Sequence, residues 1–315
     1  MRQALCECLD EMMAENENIV VIDADLAKPN GTFPLRKKYP ERAIDVGIAE
    51  QNMASVAAGM SSYGFIPFIT SFIPFITSFT PFASRRICDQ IAISIAYAKQ
   101  NVKIIGSDPG ISAEFNGGTH MSMEDIGVLR SIPELVIYEP VDVAQFKQAL
   151  PQIVAYEGPV YIRMFRKTID DVFTDANYKF DLFGADCIQE GTAVTIFCSG
   201  IMVQETMKAN EILKQEGIDA EIINIHTIKP IDRDAVVASA KKTGAVVVAE
   251  NHNVIGGLTS AVCEVLMEEY PVPLRAVGVK DRFGQVGKMP FLKEEYHMTA
   301  KDIVSAVKEV IRLNK

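Results

Sequence analysis

Side chains able to exchange protons near neutral pH are few in this sequence. It contains 4 histidines, and histidine is the residue type whose ordinary pKa lies nearest to neutrality. One of them, His120, lies in the glycine-containing stretch GISAEFNGGTHMSMED together with Asn116. Polar loops of this kind often carry binding and catalytic groups. Taken alone, His120 is nevertheless more typical of an ordinary loop histidine than of a catalytic one.

The stretch DVGIAEQNMASVAAGM contains a carboxyl group that could hold or share a proton. Glu50 stands at the start of a predicted helix that otherwise carries mainly small and apolar residues and that ends at Gly64. A glutamate in the first turn commonly does no more than interact with the positive end of the helix dipole. A functional role for Glu50 therefore depends on the motifs that accompany it.

An apolar heptad occurs twice in succession. FIPFITS spans residues 65–71 and recurs unchanged at 72–78, and the partial copy FTPF follows at 79–82. We interpret this as a tandem duplication in which one copy forms a buried strand and the other loops out. The two identical copies compete for the same strand position, and a loop of this length is tolerable in entropy.

Two phenylalanines and a predicted helix start follow the repeat. Phe79 and Phe82 offer ring faces for stacking, although core packing is the usual role of phenylalanine. Thr80 followed by Pro81 has the pattern of an N-cap and a first helical residue. The next helix is therefore predicted to begin near Pro81, with the two aromatic residues at its start.

Short apolar segments alternate with amphipathic helices along the whole chain. Strands are predicted at 18–26, 102–108, 134–140, 159–165, 193–200, 219–225, 245–251 and 273–279. Helices are predicted at 49–64, 85–100, 142–155, 202–216, 232–243, 257–269 and 299–313, the last with Thr299 and Asp302 at the spacing of a capping box.

This alternation predicts the fold class. Strands buried on both faces and separated by helices form parallel sheets covered by helices. We therefore predict two α/β domains, each a mostly parallel sheet flanked by helices. The domains are residues 1–168 and 191–315, joined by a polar linker at 169–190.

Composition excludes several classes of partner. The net charge of −10 and pI near 5.0 argue against nucleic acid. Prolines interrupt the only long apolar region, so no membrane span is expected. The 6 cysteines form no CxxC pair, which is typical of reduced thiols in a cytoplasmic protein. No glycine-rich phosphate loop follows a strand.

Several motifs together resemble the transketolase family. GIAEQNMASVAAG, followed by the spaced residues PF-T-F--F--R---DQI, is similar to the pyrimidine-binding domain of that family. IINIHTIKPID and VVVAENHNVIGGLTSAV resemble the transketolase C-terminal domain. The resemblance covers essentially the whole chain and implies a thiamine diphosphate enzyme that transfers ketol units between sugar phosphates.

The same resemblance assigns cofactor roles. Glu50 matches the family glutamate that bonds the aminopyrimidine ring, where a shared proton helps the ring's amino group to accept the thiazolium proton. Phe79 and Phe82 match the aromatic residues that stack on the pyrimidine. Asp25, in DADLAKPN, matches an acid near the cofactor.

Substrate roles follow from four further matches. His120 matches the histidine that contacts the sugar hydroxyls and carbonyl oxygen, and Arg166 matches the arginine that clamps the sugar phosphate. Asn116 stands where transketolases usually have an aspartate, and Ser107 where many have another histidine. These two departures leave the sugar specificity open.

The sequence lacks the GDG…N motif that holds Mg²⁺ and the cofactor diphosphate in full-length transketolases. We therefore expect a separate N-terminal transketolase subunit to supply that site, with self-association into a dimer of heterodimers. Alternatives are deoxyxylulose-phosphate synthesis, another ketol or acyl transfer with the same cofactor, and a non-catalytic subunit that keeps the fold.

Overall fold

The fold is given by a computed structural model that describes residues 1–63, 73–167 and 169–314. The chain forms two compact units. The first comprises Met1–Pro109 and Val128–Phe180, and the second comprises Gly110–Gly127 and Asp181–Lys315. A segment that lies early in the sequence thus belongs to the unit built mainly from the C-terminal half.

The first unit is a parallel sheet with helices. Its strands lie in the order β5-β6-β4-β3-β1-β2, and each of these neighbours pairs in parallel. The strands are β1 Ile19–Asp23, β2 Ala43–Asp45, β3 Ile73–Phe79, β4 Lys103–Ser107, β5 Val136–Tyr138 and β6 Val160–Met164. The α-helices are α1 Arg2–Glu15, α2 Ala27–Asn30, α3 Phe33–Lys38, α4 Glu50–Ser62 and α6 Val143–Ala155, with α5 Asp125–Leu129 beginning in the second unit.

The second copy of the repeated heptad supplies the central strand. β3 pairs with β1 through Val21 and Phe75, and with β4 through Thr77 and Ile105. The flanking strands are buried along their whole length, as the near-continuous apolar pattern predicts. The predicted looping out of the first copy, residues 65–71, lies outside the described residues.

The helix predicted to begin near Pro81 begins later. Residues 80–84 form a turn, followed by a 3₁₀ turn at Arg85–Ile87 and a π-helix at Gln90–Tyr97. The Thr80 hydroxyl donates to the Ser107 carbonyl at 2.9 Å instead of capping a helix. The N-cap prediction was wrong because this tertiary hydrogen bond competes for the same side chain.

The second unit has a mostly parallel sheet in the order β12-β11-β8-β9-β7, in which only the β7–β9 pair is antiparallel. The strands of this sheet are β7 Asp186–Gln189, β8 Val194–Cys198, β9 Ala220–Asn224, β11 Val246–Asn253 and β12 Leu274–Val279, and the short strand β10 Thr227–Lys229 lies outside it. Its helices are α7 Met202–Gln215, α8 Arg233–Thr243, α9 Leu258–Glu269, α10 Met289–Glu295 and α11 Ala300–Leu313.

In this unit one local prediction is confirmed, and one strand was not predicted. The capping box of Thr299 and Asp302 is confirmed, with both of its hydrogen-bonding directions present. The segment predicted as a linker contains β7, an edge strand whose residues are only partly buried. A strand with little apolar character gives no periodic signal, so the sequence did not predict it.

The two α/β units with mostly parallel sheets confirm the predicted fold class. Within the described part of the chain, no helix combines the length and the apolar character that a membrane crossing requires.

Candidate active site

The carboxyl group of Glu50 is buried at the start of α4. The residue is only 4% exposed. The Ser78 hydroxyl donates to Oε1 at 3.4 Å, and Arg86 Nη1 lies 3.3 Å from Oε2. Charge-assisted hydrogen bonds are commonly about 2.7–2.9 Å long. Because both contacts are longer than that, the carboxyl group retains capacity for a closer partner.

Two aromatic rings lie beside this carboxyl group. Phe79 and Phe82 have ring centroids 6.2 Å apart and meet edge to face at 70°. The Arg86 guanidinium, which contacts Glu50, lies 4.2 Å from the centroid of the Phe82 ring. Both rings are half-buried, so each keeps some ring surface for a flat heterocycle.

Asp25 lies immediately after β1 in a cluster of acidic side chains. It is exposed, has a φ of 60°, and its amide donates to Asp45 Oδ1 at 2.9 Å. Arg36 forms ion pairs with Asp45 and with the buried Asp23. Burial raises the pKa of Asp23, although Arg36 opposes that rise. Of the three acids in this cluster, Asp23 is buried, whereas Asp25 and Asp45 are exposed.

Ser107 is enclosed by protein groups in the first unit. It is fully buried at the end of β4, and its hydroxyl donates to Asn30 Oδ1 at 2.7 Å. Through this bond the serine orients Asn30, whose Nδ2 has no hydrogen-bond partner among the described residues. Sugar binding by Ser107 stays a prediction.

Arg166 is already engaged by protein groups. Its Nε lies 2.7 Å from Asp108 Oδ2, Nη2 forms an ion pair with the same carboxylate, and Nη1 donates to the Pro29 carbonyl at 3.1 Å. Its guanidinium lies 4.7 Å from the Phe79 ring centroid. The residue also borders a cavity of about 440 Å³ that is lined by Met1, Arg2, Gln3 and Lys167. Phosphate binding by Arg166 remains a prediction and would have to coexist with this ion pair.

His120 and Asn116 belong to the second unit, within the segment 110–127. His120 is partly exposed, and its Nδ1 lies 2.9 Å from the Thr119 hydroxyl. Asn116 is exposed at the end of a 3₁₀ segment, Gly110–Asn116. The predicted site residues are therefore divided between the units, with Glu50, Phe79, Phe82, Asp25, Ser107 and Arg166 in the first.

The surroundings of Glu50 fit the pyrimidine end of thiamine diphosphate. A buried carboxyl group with capacity for one more close partner can share a proton with a ring nitrogen. The adjacent aromatic surfaces suit a flat ring. Glu50, Phe79 and Phe82 are the residues that would hold that ring.

Sequence reasoning missed three residues that shape the site. Arg86 lies between Glu50 and Phe82, Asp108 holds Arg166, and Asn30 receives the Ser107 hydroxyl. Apart from that of Arg86 with Phe82, these contacts join residues far apart in the chain, so no local pattern indicates them. The one signal in the sequence was Asp108, the acid at the end of the strand VKIIGSD. Side chains at the carboxyl ends of parallel strands often gather at a site.

Comparison with known proteins gives matches over both units. A model of the transketolase pyrimidine binding domain matches residues 1–170, and one of the transketolase C-terminal domain matches residues 184–303. The 6-deoxy-6-sulfo-D-fructose transketolase subunit SqwH of Clostridium sp. (strain MSTE9) is 52% identical over 98% of this chain and 94% of its own length. One subunit of the apulose-4-phosphate transketolase of Phocaeicola vulgatus is 30% identical over 99% of this chain and 97% of its own length.

A solved structure agrees with these matches. The chain described as a split gene transketolase, inactive beta4 tetramer, is 41% identical and superimposes with a TM-score of 0.88, covering 100% of this chain and 98% of that one. The resemblance inferred from the GIAEQ motif is thereby confirmed. With both domain models matched and close relatives covered nearly end to end, this chain belongs to the transketolase family.

Proposed function

We propose that this chain supplies the pyrimidine-facing part of a thiamine diphosphate site and, with a separate N-terminal subunit, transfers ketol units between anionic sugars. The observation that carries the proposal is the buried Glu50 carboxyl group beside two partly exposed aromatic rings. When bound, thiamine diphosphate supplies a nucleophilic carbon that accepts the ketol unit.

The chain's own residues have separable tasks in this proposal. Glu50 holds a proton at its carboxyl group against the cofactor ring, and its burial keeps water from competing for that proton. Phe79 and Phe82 fix the plane of the ring. Arg86 contacts both Glu50 and Phe82 and so maintains their spacing. His120 and Asn116 bind the polar groups of the sugar.

The substrate class is a sugar with a terminal anion. The named substrates of two relatives carry a sulfonate and a phosphate, in 6-deoxy-6-sulfo-D-fructose and apulose-4-phosphate. Arg166 with Arg2 and Lys167 around one cavity supports recognition of such a group. Sugar phosphates of the pentose phosphate type remain within this class, as does a sulfonated sugar.

A separate N-terminal chain is part of the proposal because the sequence carries no diphosphate motif. Two relatives are named as subunits, and an assembly of β chains is described as inactive. These names support an assembly with a second kind of subunit, and we propose that this partner holds Mg²⁺ and the diphosphate.

The substitution Glu50→Gln tests the proposal. With the N-terminal subunit present, it should lower turnover by about 10²–10⁴-fold, because the amide cannot hold the shared proton. Folding should be unaffected, since glutamine preserves the size of the side chain. The measurement is steady-state ketol transfer with thiamine diphosphate in excess.

A matched control is Glu205→Gln. Glu205 is also a buried glutamate in the first turn of a helix, but it pairs with Lys293 and Lys208 in the second unit. This variant should keep turnover within about twofold of the unsubstituted chain. Normal turnover in Glu50→Gln with cofactor bound would refute the assignment of Glu50.

A further inference from the structure

The loop that carries His120 and Asn116 is bonded to the end of β11. The Ile111 amide donates to Asn251 Oδ1 at 3.0 Å, and the Asn253 amide donates to the Met123 carbonyl at 2.8 Å. Asn251 is fully buried. The two bonds hold positions on either side of His120, so both arms of the loop rest on the same strand end.

His252, between these two residues, makes a third connection. Its Nδ1 lies 2.6 Å from the Asn253 carbonyl oxygen, and the Gly127 amide donates to Nε2 at 3.4 Å. Only the tautomer with hydrogen on Nδ1 satisfies both contacts. The imidazole is fully buried and joins the strand to the last residue of the segment 110–127.

The backbones of loop and strand are in direct contact. Gly110 has a φ of +53°, and a Cβ atom there would lie 2.4 Å from the Asn251 carbonyl oxygen and 2.2 Å from Asn251 Oδ1. A side chain at this position would therefore displace Asn251. Farther along the loop, the Met289 amide donates to Glu114 Oε1 at 3.1 Å. The loop is thus fixed to the second unit at several points along its length.

We propose that Asn251 and His252 are positioning residues that hold the segment 110–127 in the conformation through which His120 and Asn116 bind the sugar. This inference rests on the proposed function for the roles of His120 and Asn116. It gives the C-terminal half of the chain a part in substrate binding through the stretch ENHN at 250–253.

The substitution Asn251→Ala removes the acceptor of the Ile111 amide and leaves that amide buried without it. Amide exchange across 110–127 should quicken, and KM for the sugar should rise on the order of tenfold. The affinity for thiamine diphosphate should stay the same, because Glu50, Phe79 and Phe82 lie in the first unit. The substitution Asn251→Asp keeps the acceptor oxygen and should restore most of both properties.

Asn224→Ala is the matched control. Asn224 is another fully buried asparagine of the same sheet, and its Nδ2 donates to Asp186 Oδ2 at 3.1 Å on the neighbouring edge strand. This variant should lower global stability without changing exchange across 110–127 or KM. It therefore separates a general loss of stability from release of the loop.

Hydrogen–deuterium exchange on the full chain measures how firmly the segment 110–127 is held, without any assay of activity. Faster exchange across 110–127 and a raised KM in Asn251→Ala, both absent in Asn224→Ala, would support the inference. Unchanged exchange, or unchanged KM despite faster exchange, would overturn it. Failure of the proposed function would appear separately, as normal turnover in Glu50→Gln.

Discussion

Lys103 shows how strongly burial can change one side chain. It is fully buried at the start of β4, and its Nζ donates to the carbonyl oxygens of Tyr156 and Gly158, each at 2.7 Å. Burial lowers the pKa of Lys103 from 10.5 to about 7. The two carbonyl bonds tie the turn before β6 to the neighbouring strand, so this lysine has a structural function that does not depend on catalysis.

The lowered pKa predicts a pH dependence of stability. Between pH 7 and 10.5 the unfolded chain keeps the Lys103 proton, whereas the folded chain largely releases it. The unfolded state therefore binds more protons over this interval, and the free energy of unfolding rises with pH. We expect urea unfolding at pH 7 and 8.5 to show this rise in the unsubstituted chain and a smaller rise in Lys103→Met.

Comparing the unsubstituted chain with Lys103→Met separates the contribution of Lys103 to this pH dependence from that of other titratable groups. Burial raises the pKa of several cysteines, including Cys187 to about 11 and Cys198 to about 12. Those thiols contribute in the opposite direction at higher pH, but they are present in both chains and cancel in the difference. Equal slopes in the two chains would contradict the prediction.

At the scale of elements, the repeated heptad determines how long the connection between α4 and β3 is. β3 takes the second copy, between β1 and β4. Residues 63–72 separate the end of α4 from the start of β3. Deleting FIPFITS once leaves Tyr63, Gly64 and a single phenylalanine in this connection, whichever copy is removed. Such a length lies within the common range of about 2–6 residues for a connection between helix and strand.

We therefore predict that deletion of Phe65–Ser71 stabilises the protein. The shorter connection lowers the entropy lost on folding by about 1 kcal/mol, and removing apolar residues from it improves solubility. Activity should be at least equal. The measurements are thermal unfolding, soluble yield and turnover.

A control that replaces Phe65–Ser71 by a glycine–serine heptad separates the effect of the connection's length from that of its apolar residues. It should improve solubility while leaving the connection long, so thermal stability should gain less than in the deletion variant. A deletion variant that unfolds or loses activity would show that the doubled segment has a structural function.

Sequence patterns predicted most regular elements because those elements carry strong periodicity. β1 and β4 are runs of fully buried residues, and α11 begins at a capping box. The π-helix Gln90–Tyr97 was predicted only as a helix, since a π-helix and an α-helix give similar apolar spacing over so few turns. The edge strand β7, none of whose residues is fully buried, gave no usable signal.

The candidate site was predictable where one motif holds its residues together. Glu50 stands in GIAEQ, and Phe79 and Phe82 follow the strand in order. The contacts that fix their environment depend on the packing of distant segments, as with Arg86 against Glu50. Ser107 illustrates the limit, because its position in the sequence does not show that its hydroxyl is enclosed.

At the scale of the whole molecule, the division into units does not follow the order of the sequence. The segment 110–127 leaves the first unit after β4 and joins the second, and the chain then returns to the first at Val128. His120 and Asn116, which are assigned to the sugar, therefore belong to the second unit, whereas Arg166 and the residues assigned to the cofactor ring belong to the first.

The proposed reaction also requires a site for the diphosphate and its metal ion. Within residues 1–63, 73–167 and 169–314, the side chains with metal-ligand atoms close together are Cys187, Glu190 and Glu221. Lys242 already forms ion pairs with both of these glutamates. An ammonium group between the carboxylates and a soft thiol beside them make this cluster a poor site for Mg²⁺, which prefers hard oxygen ligands.

We therefore predict that the isolated chain binds thiamine diphosphate weakly and that Mg²⁺ has little effect on that binding. Ring contacts with Phe79 and Phe82 alone leave the charged diphosphate without ligands. Addition of the N-terminal subunit should produce tight, Mg²⁺-dependent binding and turnover. Isothermal titration calorimetry of the cofactor into the chain alone and into the mixture, each with Mg²⁺ or with a chelator, measures both effects. Tight metal-dependent binding by the isolated chain would mean that it holds a diphosphate site of its own.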